Sequence, residues 1–472
     1  MLFNSLDFWL FFPLVLAVYS VLPERRVQLR QAALLLASYA FYAHWDVRFC
    51  GLIVLSTLVD FVAARRMDRS PHRKAWLVAS VVTNLGVLGT FKYLGFFVEE
   101  AGAVLASLGL PVNPIALNIV LPVGISFYTF QTLGYTLDVY RKRIEPERKL
   151  LPFALFVSFF PQLMAGPIER ARDLMPQLHT LRRPQRGELA SGFRLFLLGM
   201  VKKVAISSVI WEHAQVLYLN PALRGTAEAW WLGALMLTHI YLDFSGYSDM
   251  AVGLGRMLGV KLSTNFNRVF MARNFPDLWR RWHITLGRWF RDAVWIPLRR
   301  RGWSKPAATL VTFALIGGWH GANWTFLWWG VLMGLLWWAD DQTRWQQRLT
   351  APLPDPIGRP LASVLTLGLF VWVSQLFPVD RLADAGVLMR AMVGFPAAEA
   401  LPWGGASRAV YFAMFLAVAI EWGVPYGEAR IQASARWARN WGWVRAVVFI
   451  PWGCALCVEG LWQAREFVYF QF

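Results

Sequence analysis

Two apolar runs, QAALLLASYAFYAHW (residues 31–45) and CGLIVLSTLVDFVAA (residues 50–64), stand four residues apart, and the basic stretch RRMDRSPHRK (residues 65–74) follows at once. Read together they go out across a bilayer and back, because positive loops stay on the cytoplasmic side. The preceding loop, Pro23 to Arg30, is basic as well, which places the N-terminus outside. The first segment, MLFNSLDFWLFFPLVLAVYSVL, has its positive charges Arg25 and Arg26 after the apolar stretch and lacks a small-residue cleavage site, so it is expected to be retained.

Composition extends this reading to the whole chain of 472 residues. Hydrophobic residues make up 57% and charged residues only 16%. That leaves too little polar surface to coat the three or so soluble domains such a length would otherwise suggest. The net charge of +18 belongs in cytoplasmic loops facing anionic lipid, and nucleic acid is excluded as a partner. Further apolar runs begin near Trp76, Tyr93, Ile115, Leu151, Ala190, Trp230, Ala307, Trp324, Leu361, Val387, Ala409 and Val444. Several are shorter than a full span, so we expect an all-α polytopic protein with roughly 11 spanning helices plus re-entrant or interfacial ones. The run from Tyr93 to Leu110 carries Glu99 and Glu100 and is expected to lie in the interface. No repeat or linker divides the chain, and residues 1–472 read as one membrane domain. Cys454 and Cys457 form a CxxC inside an apolar run without a second ligand pair, so no metal is expected there.

The segment 256–305 breaks the membrane pattern, with 12 Lys or Arg against only Asp277 and Asp292. Placed on one helix, Leu278–Asp292 gathers Trp279, Trp282, Leu286, Trp289 and Phe290 in one sector. Arg280, Arg281, Arg288 and Arg291 lie opposite, and His283 falls at the border. Such a helix lies at the interface. It either anchors the chain in lipid or forms a basic mouth for an anionic, phosphate-bearing donor such as coenzyme A or a phosphopantetheine carrier.

IGGWHGANWTFLWWG (residues 316–330) places His320 in apolar surroundings, where an ionisable group is costly and therefore a functional candidate. Gly317, Gly318 and Gly321 let a backbone or a substrate chain come close, and Asn323 is placed to orient a ring nitrogen or bind a carbonyl. Asp60, Asp138, Asp243, Asp249, Glu421, Glu459 and His239 also sit in apolar runs. Structural pairing accounts for them at least as well as chemistry does.

On these residues the sequence resembles the membrane-bound O-acyltransferase family, in particular its bacterial branch with the alginate O-acetyltransferases and the teichoic acid D-alanylation membrane protein. The resemblance runs nearly end to end, through VGISFYTFQTLGYTLDVYR, FPQLMAGPIERARDLMPQL, YLDFSGYSDMAVGLGRMLGVKLSTNFNRVF, FPDLWRRWHITLGRWFRDAVWIPL and WHGANWTFLWWG. It implies helices around a central tunnel, His320 as the catalytic histidine and His283 as the second signature histidine. Relatives commonly have Gly-Gly after the IPL motif where this chain has IPLRRRG, and many have a further His where it has Met333. The tail REFVYFQF resembles an aromatic motif whose tyrosine, Tyr469 here, is implicated as an acyl relay; simple aromatic anchoring is the alternative. A phenol of pKa about 10 makes an ester activated enough to hand its acyl group to a sugar hydroxyl.

The function expected is transfer of an acyl group, acetyl by the resemblance, from a cytoplasmic thioester to a cell-envelope or exopolysaccharide hydroxyl. Acetyl-coenzyme A or an acyl carrier would be a donor substrate, not a resident cofactor. Arg280, Arg281 and Trp282 with Asn323 are the expected donor contacts. A separate periplasmic or surface acetyltransferase is the expected partner, and the bacterial inner membrane the expected location. Rival readings are D-alanyl transfer to teichoic acid, a transporter or flippase, which would need inverted repeats that are not found, and a non-catalytic scaffold.

Overall fold

The computed structural model describes residues 1–110, 119–398 and 405–432, and, among these, secondary structure is helical with no strand. Among the described residues, three helical stretches are long and apolar enough to cross a membrane: Val27–Arg69, Arg73–Ser107 and Asp355–Leu376. Leu6–Val21 and Arg408–Ile420 are shorter apolar helices. This is a multi-pass membrane protein. The number of full spans expected from the apolar runs is not reached by length and composition alone, because many runs fold as short or broken helices.

The chain divides into two compact units. One is Met1–Phe193 with Ala251–Ser263. Its helix α1 (Leu6–Val21) is capped by the Ser5 side chain, which accepts from the Phe8 amide. The 43-residue stretch Val27–Arg69 is broken at Asp46, whose backbone is extended and whose side chain accepts from the Arg48 amide. It therefore forms two helices of 20 residues, α2 (Val27–Asp46) and α3 (Cys50–Arg69), each about 30 Å long and matched to a bilayer. The break falls between the two apolar runs. Next come α4 (Arg73–Leu88), which runs on through a π-helical turn at residues 89–93 towards Ser107, and α5 (Ile125–Tyr140).

Asp60 of α3 is fully buried among α3, α4 and α5. Its carboxylate accepts from the Ser80 hydroxyl, from Asn84 Nδ2 at 2.9 and 3.1 Å, and from Thr136 Oγ1 at 3.1 Å. Ser56 Oγ in turn donates to Asn84 Oδ1 at 2.7 Å. A buried carboxylate so supplied with donors ties three helices together. Asp138 pairs with Arg143 at 3.2 Å and lies 4.0 Å from Arg170.

The second unit is Arg194–Met250 with the described residues from Thr264 onward. It contains α6 (Thr226–Met257, up to Met250), the short helices α7 (Phe275–Arg281) and α8 (Ile284–Phe290), then α9 (Lys305–His320), α10 (Trp324–Thr343) and α11 (Asp355–Val373). A π-helical turn at residues 201–207 faces α6. Gly199 and Gly246 meet backbone to backbone there, since a Cβ on Gly199 would stand 2.4 Å from the Gly246 carbonyl oxygen.

Candidate active site

The carrier of His320 is α9, which starts at the Ser304 cap, whose side chain accepts from the Ala307 amide, and ends at the histidine itself. The next helix, α10, starts from Asn323, whose Oδ1 accepts from the Thr325 amide at 3.0 Å. The glycines between them bring the two helices into backbone contact. A Cβ on Gly317 would lie 2.2 Å from the Phe326 carbonyl oxygen, and one on Gly330 2.3 Å from that of Phe313. A Cβ on Gly321 would strike the Phe326 ring at 2.1 Å, whereas one on Gly318 would meet nothing within 4 Å. Three of these glycines thus serve helix packing, and of the three expected to make room near the imidazole only Gly318 has open space.

His320 is 2% exposed and ringed by aromatic groups. Trp319, Trp329 and Phe377 stand edge-on to it with centroids 5.0, 5.2 and 5.2 Å away. Trp329 and Phe377 also line a narrow apolar cavity with Ile240, Trp282, Phe370 and Ser374. The imidazole is therefore held behind an aromatic wall, whose other side lines an apolar cavity of about 10 Å³, room for about one water molecule.

His283 is where the structure departs most from the expected single helix over Leu278–Asp292. The chain breaks between α7 and α8, with Trp282 extended and His283 left-handed at φ 40° and ψ 53°. For a residue with a β-carbon that conformation costs roughly 1 kcal/mol. It turns His283 from the expected border position to complete burial. Its Nδ1 lies 3.2 Å from Asn265 Oδ1, and its ring is edge-on to Phe244 at 4.7 Å and to Trp319 at 5.6 Å. Burial pushes its pKa down to about 3, so the imidazole is neutral. Trp319 thus separates the two histidines, touching both.

The four expected donor contacts part company. Arg280 is exposed on an open cavity of about 420 Å³ lined also by Arg273, Gln347, Thr350 and Arg359. Arg281 is engaged by Asp277 at 3.1 Å and donates to the Asn267 carbonyl at 3.3 Å. Trp282 is buried, packs on Phe266 and Phe370 at 5.4 and 5.3 Å, and lines the narrow apolar cavity instead of the basic mouth. Asn323 caps α10 and donates to the Asp380 carbonyl at 2.9 Å. Tyr469, Cys454 and Cys457 lie outside the described residues. No group of three His, Cys, Asp or Glu is placed to hold a metal among the described residues.

Two acids of α6, the buried Asp243 and the half-buried Asp249, are paired with lysines, and the buried Glu228 pairs with Arg224 at 2.8 Å. Lys203 pairs with Asp243, and Lys202 with Asp249 at 3.0 Å. His239 Nδ1 lies 2.8 Å from Ser207 Oγ and its ring stacks on Trp211 at 4.9 Å. These contacts lock the π-helical turn to α6. The adjacent lysines inside FLLGMVKKVAISSVIW (residues 196–211) are the sequence signal that would have found them. Asn265 left no such signal, since its loop shows no periodicity.

The chain matches the model of the membrane-bound O-acyltransferase family over residues 147–375. It is 40% identical over 410 residues to a probable alginate O-acetylase of Azotobacter vinelandii, covering 84% of this chain and 78% of the relative. It is 32% identical to a peptidoglycan O-acetyltransferase of Helicobacter pylori, covering 76% and 73%. A teichoic acid D-alanyltransferase of Streptococcus thermophilus is more distant, at 27% identity over 45% of this chain and 55% of the relative. The chain therefore belongs to the membrane-bound O-acyltransferase family, and it is an integral membrane acyltransferase.

Proposed function

We propose that the protein moves an acetyl group from a cytoplasmic thioester, acetyl-coenzyme A, to a hydroxyl of a cell-envelope or exopolysaccharide, by way of a separate periplasmic or surface acetyltransferase. The observation that carries this reading is the buried His320 inside its ring of aromatic side chains, with a second buried histidine on the far side of Trp319. In the proposed step His320 takes the proton of the acceptor hydroxyl as its oxygen attacks the thioester carbonyl. The carbon–sulfur bond breaks, and the thiolate leaves with that proton as free thiol. The protein sits in the bacterial inner membrane with its N-terminus outside, as the charge bias of the first loops favours.

Helix α11 supports the donor's path. Gly358 and Ala362 line the arginine-bearing cavity, and Phe370 lines the narrow apolar one. Twelve residues of helix, Gly358 to Phe370, span about 18 Å. A donor with its phosphates near Arg273 and Arg280 would reach the imidazole with its thioester once the narrow cavity at Phe370 opens to admit the pantetheine arm. In the full sequence the hydroxyl deprotonated by His320 is the Tyr469 phenol, and the resulting tyrosyl ester then hands the acetyl group to the final acceptor hydroxyl, releasing the phenol.

The test is thiol release from acetyl-coenzyme A by the purified protein, with mass spectrometry of the C-terminal peptide. Acetyl on Tyr469, with polymer acetylation lost in Tyr469→Phe, supports the full sequence. An unlabelled tail and an active Tyr469→Phe protein would leave direct transfer, and no acceptor-dependent thiol release would reject the donor.

A further inference from the structure

Asn265 is buried at 2% exposure in the loop between α6 and α7, and three groups converge on its Oδ1. They are the Thr285 amide at 3.2 Å, the Thr285 hydroxyl at 2.9 Å and His283 Nδ1 at 3.2 Å. The Thr285 amide can only donate, so the atom it faces is the oxygen of Asn265 and not its nitrogen. The other end of the side chain agrees, with Nδ2 turned to Ser248 Oγ at 3.5 Å. An amide oxygen can only accept. His283 Nδ1 must therefore carry a hydrogen, and a neutral imidazole has only one.

We propose that Asn265 is a positioning residue that fixes His283 as its Nδ1–H tautomer and so dedicates Nε2 to accepting a hydrogen bond during acyl transfer. The inference rests on the reading above that His283 belongs to the transfer machinery. The backbone supports the same role. Ile284 donates to the Asn265 carbonyl at 2.8 Å, and Asn267 to the Arg281 carbonyl at 2.9 Å, so residues 265–267 clamp both sides of the left-handed turn. A glycine would make that turn without strain, yet the position holds a histidine, aimed at the Trp319 ring that also packs on His320. Asn265 thus holds the ring nitrogen, and its carbonyl holds the backbone that delivers the ring.

The test combines ¹⁵N NMR of histidine-labelled protein with kinetics. The chain has seven histidines, so the His283 signals are taken from the difference against His283→Gln. The expected result is a protonated, pyrrole-type Nδ1 and a pyridine-type Nε2 in the wild type, and a mixture of tautomers in Asn265→Ala. Asn265→Ala should lose kcat on the order of 10- to 100-fold with donor KM nearly unchanged, because misorienting a reacting group costs about that much. Asn265→Asp, which still accepts at the same place, should recover most of kcat. In a His283→Gln background Asn265→Ala should cost nothing further. A pyridine-type Nδ1 in the wild type, or unchanged kcat in Asn265→Ala while His283→Gln is inactive, would overturn the inference alone. Full activity in His283→Gln would instead remove His283 from the machinery, whatever tautomer the spectra report.

Discussion

His320 and His283 reach burial by different routes, and only one was legible. His320 ends an apolar helix, so its cost in the membrane shows in the sequence itself. His283 is turned inward by a left-handed backbone that helical periodicity cannot register, and its partner Asn265 comes from a loop eighteen residues earlier in the chain. The glycines around His320 were visible too, but their roles were not, because a close approach depends on which helix lies opposite. They make a sharp prediction. Gly317→Ala puts a methyl group against the Phe326 carbonyl and should destabilise the protein by about 1–3 kcal/mol. Gly318→Ala, two residues from His320 but with open space, should leave the melting temperature within error while thiol release reports any effect on substrate. Equal melting temperatures for the two variants would contradict this packing of α9 on α10.

At the scale of elements, the basic segment is two short helices joined by a strained turn, and the break divides its arginines into separate jobs. Residue types alone gave the charge of the segment but not which cation was already engaged. Arg281 is held by Asp277 and the Asn267 carbonyl, whereas Arg280 faces the open cavity with Arg273. Arg280→Gln should therefore raise the donor KM several-fold, roughly 3- to 10-fold at low salt, and flatten its salt dependence, since exposed charge acts through screened attraction. Arg281→Gln should instead lower stability by about 1 kcal/mol, measured as melting temperature in detergent, with a smaller effect on KM. If Arg281→Gln raised the donor KM as much as Arg280→Gln, the division would be wrong. The ion pairs of Lys202 and Lys203 with α6 belong to this scale too, binding the π-helical turn where two buried, unpaired lysines would otherwise be costly.

For the molecule as a whole, composition was enough to establish a multi-pass helical membrane protein, because its apolar excess has no soluble solution. The number of spans was harder to read, since an apolar run does not show where a break such as Asp46 will turn it or where a short helix will stop. The acyltransferase reading requires the chemistry to join two sides of one membrane through His320. That is measured most directly in sealed vesicles bearing the purified full-length protein, with radiolabelled acetyl-coenzyme A confined to the cytoplasmic-facing side and acceptor polysaccharide and partner acetyltransferase confined to the other. The expected result is label on the polymer with wild-type protein and none with His320→Ala, which should stay folded because one imidazole is lost from a pocket still walled by Trp319, Trp329 and Phe377. Transfer by folded His320→Ala protein within a few-fold of wild type would contradict it.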